Sequence, residues 1–260
     1  MAPVNHPITE NATVQHVLKL SQAASKEVGQ QHTIVTFDLA VARKAYSIIW
    51  QNPEMYSDVF VRMGIFHTTC SYLGALGKHM KGSGFEEIVI ESGICASGSI
   101  NKVITGKHYN RALRVHKTLL EGLERQLLQA FEESEGGIYG NEERIIIDHL
   151  AKDPSEARLS EFKANDKCME WLELYNDFRT RVSEGSLGKT AQFWFGYMTA
   201  VYTVLRFLRA TKENNLDLHI KCLQTMCPLF FSYDHQNYAR YATTYLMTLL
   251  NIDQTHPGVE

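Results

Sequence analysis

Asp38 and His67 have the residue types and the setting that could support chemistry. Asp38 closes the β-branched run His32-Thr-Ile-Val-Thr-Phe37 and directly precedes a helical pattern; His67 follows a second run, Asp58-Val-Phe-Val-Arg-Met-Gly64, in the same way. Residues at the C-terminal ends of adjacent parallel strands emerge on one sheet edge, where open α/β folds bind ligands and metals. A carboxylate there can ligate Mg2+ or Mn2+ through oxygen. A histidine beside it can share the ion or complete an acid/base pair. The competing reading of Asp38 is an N-cap for the helix that follows, and residue preference alone favours it. His67 entering a helix is likewise more often a hydrogen-bonded structural residue.

Other metal and phosphate patterns fail on spacing. His67-x-x-Cys70 provides two ligands where structural zinc takes four. His219-x-x-Cys222-x4-Cys227 lies in an amphipathic helical stretch with no second ligand pair, so core packing is expected there. Gly74-Ala-Leu-Gly77-Lys78 has the wrong glycine interval for a P-loop, and Gly93-Ile-Cys-Ala-Ser-Gly98-Ser99 lacks the lysine. No Gly-x-Ser-x-Gly elbow supports an α/β-hydrolase.

Charge is the clearest remaining signal. Residues 59–120 carry eight basic and three acidic side chains, a net +5 within a chain of net charge −3. Gly106-Lys-His-Tyr-Asn-Arg-Ala-Leu-Arg-Val-His-Lys117 leads this stretch into a long helix. Lys107 and His108 fall at the helix start, Arg111 and Arg114 share a face, and Lys117 follows. Such a surface suits phosphate groups and hence DNA; the competing reading is a solvated face paired with the acidic remainder.

The elements that must position these groups follow from hydrophobic period. A helix over 11–28 precedes strand 32–37, helix 39–52, strand 58–64 and helix 67–80, which makes a parallel βαβ unit. Gly82, Gly84, Gly93, Gly98 and Gly106 then punctuate short pieces before an amphipathic helix over 109–133. The loop 134–140 is the expected boundary between an α/β piece, 1–133, and an α-helical piece, 141–260. Helices are expected near 142–151, 155–183, 190–213, 216–231 and 236–250, with Ser155 and Thr190 capping the second and third. The run Phe193-Trp194-Phe195 with Tyr197, Met198, Val201, Tyr202, Leu205 and Phe207 is apolar on most faces and predicts a buried helix. The fold class is therefore α/β turning mostly α. A sheet of two strands must be covered by helices, or completed by strands outside this chain.

Composition excludes several classes. The chain has 260 residues, 44% of them hydrophobic and 21% charged, so wholesale disorder is excluded. No apolar run reaches the length of a membrane span. The N-terminus lacks the basic-then-apolar pattern of an export signal. Five cysteines at irregular spacing read as reduced thiols, and Asn11-Ala-Thr13 as an unused sequon, which predicts an intracellular protein that is not secreted.

Several segments carry a resemblance. Ile34-Val-Thr-Phe-Asp38-Leu-Ala, Arg62-Met-Gly-Ile-Phe-His67, Gly82-Ser-Gly84, Ile90-Glu-Ser-Gly93 and Gly106-Lys-His-Tyr-Asn-Arg111-Ala together resemble a multi-copy, uncharacterised family of animal genomes. That family is rich in marine invertebrates, and its copy number suggests mobile-element origin. Thr190-Ala-Gln-Phe-Trp194 and Asn237-Tyr-Ala-Arg240 look like its downstream segments. More loosely, a strand ending in Asp, a helix, a strand and a His resembles the middle of RNase H-like transposases of the mutator-like and hAT groups. That likeness implies Asp38 as a metal-binding carboxylate and His67 as the histidine that follows it. It also implies a helical insertion in the second half and an ancestral metal-dependent DNA cleavage and strand transfer using Mg2+ or Mn2+.

The pattern departs from those enzymes: no upstream acidic strand is present, and among Glu91, Asp177 and Asp234 none stands out as a third carboxylate. The expectation is a transposon-derived protein, part of a longer element, without nuclease activity of its own. It would be nuclear if it binds DNA through 59–120 and cytoplasmic otherwise. The alternatives are a helical interaction or scaffold protein, and an intact metal-dependent phosphodiesterase.

Overall fold

The computed structural model describes residues 4, 6–8, 10–135 and 140–259. In chain order the elements are α1 (Asn11–Glu27), β1 (Thr33–Phe37), α2 (Leu39–Gln51), β2 (Val59–Met63), α3 (Ile65–His79), α4 (Phe85–Glu91), α5 (Ser97–Ile104) and α6 (Tyr109–Glu135). Then follow α7 (Asn141–Lys152), α8 (Glu156–Ala164), α9 (Asp166–Ser183), α10 (Gly188–Lys212), α11 (Leu216–Ser232), α12 (Gln236–Leu250) and α13 (Ile252–Thr255). The fold is mostly α-helical with one small parallel sheet. Among the described residues no helix is long and apolar enough to cross a membrane.

β1 and β2 pair in parallel, Thr33 opposite Val59 through Phe37 opposite Met63. Side chains alternate between the faces of a strand, so the register sorts the sheet into two surfaces. Val35, Val59 and Val61 join Val14 and Leu18 of α1 and Val41, Ala42, Ala45, Tyr46 and Ile48 of α2 in one buried cluster. The Tyr46 hydroxyl donates to the Val61 carbonyl at 3.3 Å, which ties α2 to the sheet. On the other face Phe60 packs against the rings of Tyr245 in α12 and His256 just beyond α13. Helices from both ends of the chain therefore cover the two strands.

The chain divides into two compact units. One comprises residues 1–115 and 202–260, the other residues 116–201. The sequence places a single boundary in the loop 134–140, but the C-terminal helices group with the α/β segment, because α11 packs on α3 and α12 packs on α2 and β2. Of that loop, residues 134–135 continue α6 and 136–139 lie outside the described residues. Within the second unit Phe131 packs against the rings of Trp171, Tyr175 and Phe178, and Glu124 accepts from Arg179 at 2.8 Å and from the Tyr175 hydroxyl at 3.1 Å.

Three local expectations need correction. The helix expected over 155–183 breaks at Asn165, whose extended backbone ends α8 and whose side chain accepts from Cys168 N at 3.0 Å to start α9. Ser155 stands at the α8 N-cap, but its hydroxyl pairs with Asp153 and not with the helix amides. Thr190 lies inside α10, which begins at Gly188, so it caps nothing. Along α10 the buried positions Tyr197, Met198, Val201, Val204, Phe207 and Ala210 alternate with exposed Gln192, Thr199, Arg206 and Arg209, so the helix buries one side and leaves the other in solvent.

Candidate functional site

The strand edge is built as the βαβ pattern predicts. Asp38 follows β1, and its carboxylate accepts from Val41 N at 3.0 Å while its carbonyl accepts from Ala42 N at 2.8 Å. It caps α2 with both groups. Gly64 follows β2, and its N–H donates to the Phe37 carbonyl at 2.7 Å, so the two strand ends stay joined. His67 lies in the first turn of α3, exposed, with its ring edge-on to Phe66 at 5.1 Å.

The metal expectation for Asp38 finds no partner set. Among the described residues no group of three His, Cys, Asp or Glu side chains is placed to hold an ion. Asp234 shares a surface groove with Leu39, but its carboxylate accepts from Gln236 at 2.8 Å.

What the edge does assemble lies beyond sequence reasoning. The Ser71 hydroxyl and His235 Nδ1 stand 2.8 Å apart, joining residues 164 positions apart in the chain. Burial and the nearby Lys78 lower the His235 pKa, so the ring is neutral. Ser71 sits in the second turn of α3, where its amide is committed to the helix and cannot serve an oxyanion. The pair is best understood as a tie between the α12 N-terminus and α3.

The basic segment forms a second, more open surface. Gly106 holds φ +68°, and a side chain there would collide with the Cys70 carbonyl oxygen. That close approach seats the start of α6 against the start of α3. Phe66, 54% exposed, lies 5.1 Å from the Tyr109 ring, and the two line an open hollow with Lys107, His108 and Arg111. Lys107, His108, Arg111 and Arg114 are all exposed, and the Arg111 guanidinium donates to the Ser99 hydroxyl. Lys117 is exposed one turn further along α6, in the second compact unit. The positive end of a 27-residue helix, the cations Lys107 and Arg111, the His108 ring and two neighbouring aromatic rings thus meet in one place.

A family model described as a domain of unknown function, DUF8702, matches residues 1–260. The chain belongs to that family. No curated protein and no solved structure matches it.

The DUF8702 match takes in the strand edge, the basic hollow and both compact units. It also takes in the rejected zinc pattern, which is core. His219, Cys222 and Cys227 are buried, and the His219 ring stacks on Phe207 at 4.7 Å. Burial, helped by the charge of Arg62, pushes the His219 pKa down to about 4, and burial pushes both thiols up. With respect to zinc these are packing residues.

Proposed function

We propose that this DUF8702 chain binds nucleic acid, as a mobile-element-derived relative of RNase H-like transposases that contacts phosphates without a cutting centre at Asp38. The observation that carries the reading is the meeting of Lys107, His108 and Arg111 with the rings of Phe66 and Tyr109 in one solvent-open hollow. Lysine, arginine and the helix N-terminus attract phosphate oxygens, and an exposed ring offers a platform on which an unpaired base can stack. Arg114 extends the cationic row along α6. The likeness of the segments around Asp38 and His67 to those transposases supports the ancestry. The capping role of Asp38 supports the absence of metal catalysis there. A chain of this kind would work in the nucleus.

Fluorescence anisotropy with labelled double-stranded and single-stranded oligonucleotides, over a salt series, tests the reading. Replacing Arg111 and Arg114 together with Ala should weaken binding at least tenfold at low salt. It should also reduce the slope of log K against log salt by roughly 2, at about 0.9 for each phosphate that a side chain no longer neutralises. Phe66→Ala should weaken single-strand binding by about 1–3 kcal/mol and duplex binding less. Parent-chain binding that ignores salt, or a double variant indistinguishable from the parent, rejects the proposal.

A further inference from the structure

The sheet face turned away from α1 and α2 is incompletely covered, and the gap is a cavity of about 280 Å³ within the first compact unit. Phe60 and Arg62 of β2 and Ile34 of β1 line one side; His219 of α11 and Tyr245 and Leu249 of α12 line the other. We propose that this cavity binds a small amphiphilic carboxylate, its anionic head on Arg62 and its hydrocarbon body against the sheet and α12.

Arg62 supplies the charge. It is half-buried, and no carboxylate among the described residues lies within ion-pairing distance of it. Its polar neighbour is the Tyr245 phenol, whose pKa burial raises and the guanidinium lowers, to a net of about 12. An arginine partly withdrawn from water without a counter-ion is costly, and an entering anion relieves that cost.

His219 supplies an independent observation. It is 6% exposed, yet its Nε2 atom is buried with no hydrogen-bond partner. Orphaned buried polar atoms are uncommon in native folds and call for an explanation. Burial and the Arg62 charge lower the pKa of the ring, so His219 lines the cavity beside Arg62 as a neutral group that adds no second charge.

The remaining lining selects the body of the ligand. Ile34, Phe60, Leu216, Leu249 and Ile252 are apolar. The volume lies below the range of about 300–1,000 Å³ usual for drug-sized ligands. The wall is polar and apolar in nearly equal parts and carries one arginine, which matches a small amphiphilic monoanion better than a nucleotide, which would bring several charges and a larger body.

Calorimetry on the full chain decides the matter, with octanoate as the probe and octan-1-ol as its uncharged counterpart. Octanoate should bind one to one and at least tenfold more tightly than octanol. Arg62→Met should erase that preference. Ile34→Glu places a carboxylate at the mouth, where Ile34 is 52% exposed, so the fold should survive; octanoate binding should fall at least tenfold. If Arg62→Met does not fold, Ile34→Glu alone decides. Octanoate binding no tighter than octanol in the parent chain, or a preference that survives in the folded variants, overturns the proposal. The Arg111→Ala, Arg114→Ala double variant should bind octanoate like the parent, so this site and the nucleic-acid surface stand or fall separately.

Discussion

At the scale of single residues, Asp38 poses one question with two chemical answers, and the structure favours the helix cap. An N-cap carboxylate holds an amide of the first turn, and its loss to alanine typically costs about 1 kcal/mol, whereas asparagine caps nearly as well. Asp38→Ala should therefore lower the unfolding free energy by about 1 kcal/mol in urea titrations, and Asp38→Asn by a few tenths. A metal ligand would behave differently, because asparagine removes the charge that binds the cation. Calorimetry with Mg2+ or Mn2+ should give the same heats for the parent chain and for both variants. Heat present in the parent and absent from both would restore Asp38 as a ligand. Identical destabilisation by Ala and Asn would show that the hydrogen bond to Val41 contributes nothing.

At the scale of elements, Gly106 carries the juxtaposition on which the nucleic-acid surface depends. It combines a positive φ with a close approach to Cys70, while Gly82 has φ +76° and open space around it. Gly82→Ala should cost about 1 kcal/mol from backbone strain alone, and Gly106→Ala on the order of 2–3 kcal/mol from strain and collision together. Equal destabilisation in denaturant titrations would mean that the loop yields and the α3–α6 approach is not fixed by this glycine. The periodic elements themselves are legible in the sequence: both strands and most helix spans follow from alternation and 3.6-residue spacing, because those signals are local. The break at Asn165 is not, since an asparagine in a helical pattern reveals its capping role only when its side chain turns back on Cys168. The grouping of α11 and α12 with the sheet, the Ser71–His235 tie and the Arg62 cavity all join residues far apart in the chain, and a single sequence marks none of these pairings. Lys107, Arg111 and Arg114 are visible as a charge cluster, but Phe66 gains its meaning only from its position beside Tyr109.

At the scale of the whole molecule, the buried histidines set an acid limit on stability. Burial lowers the pKa of His79, His116, His219, His235 and His256, and brings His116 and His219 to about 4. His116 shares a hydrogen bond with the Tyr197 hydroxyl at 2.8 Å in the second unit, while His219 faces Arg62 in the first. In the unfolded chain these rings titrate near 6.5. Between that value and about 4 the unfolded state binds protons that the folded state refuses, so stability rises with pH across this window and levels off above it. Each of the two should contribute on the order of 3–4 kcal/mol over the whole window, since one pKa unit is about 1.4 kcal/mol. Urea midpoints followed by far-UV circular dichroism should stay constant from pH 8 to about 7 and fall steadily towards pH 5. His219→Gln, which cannot take up a proton, should shallow that fall through the first unit and leave the His116 contribution in place. A midpoint independent of pH down to 5 would mean that water reaches these rings, and the buried setting of His219 on which the carboxylate site rests would then be lost as well.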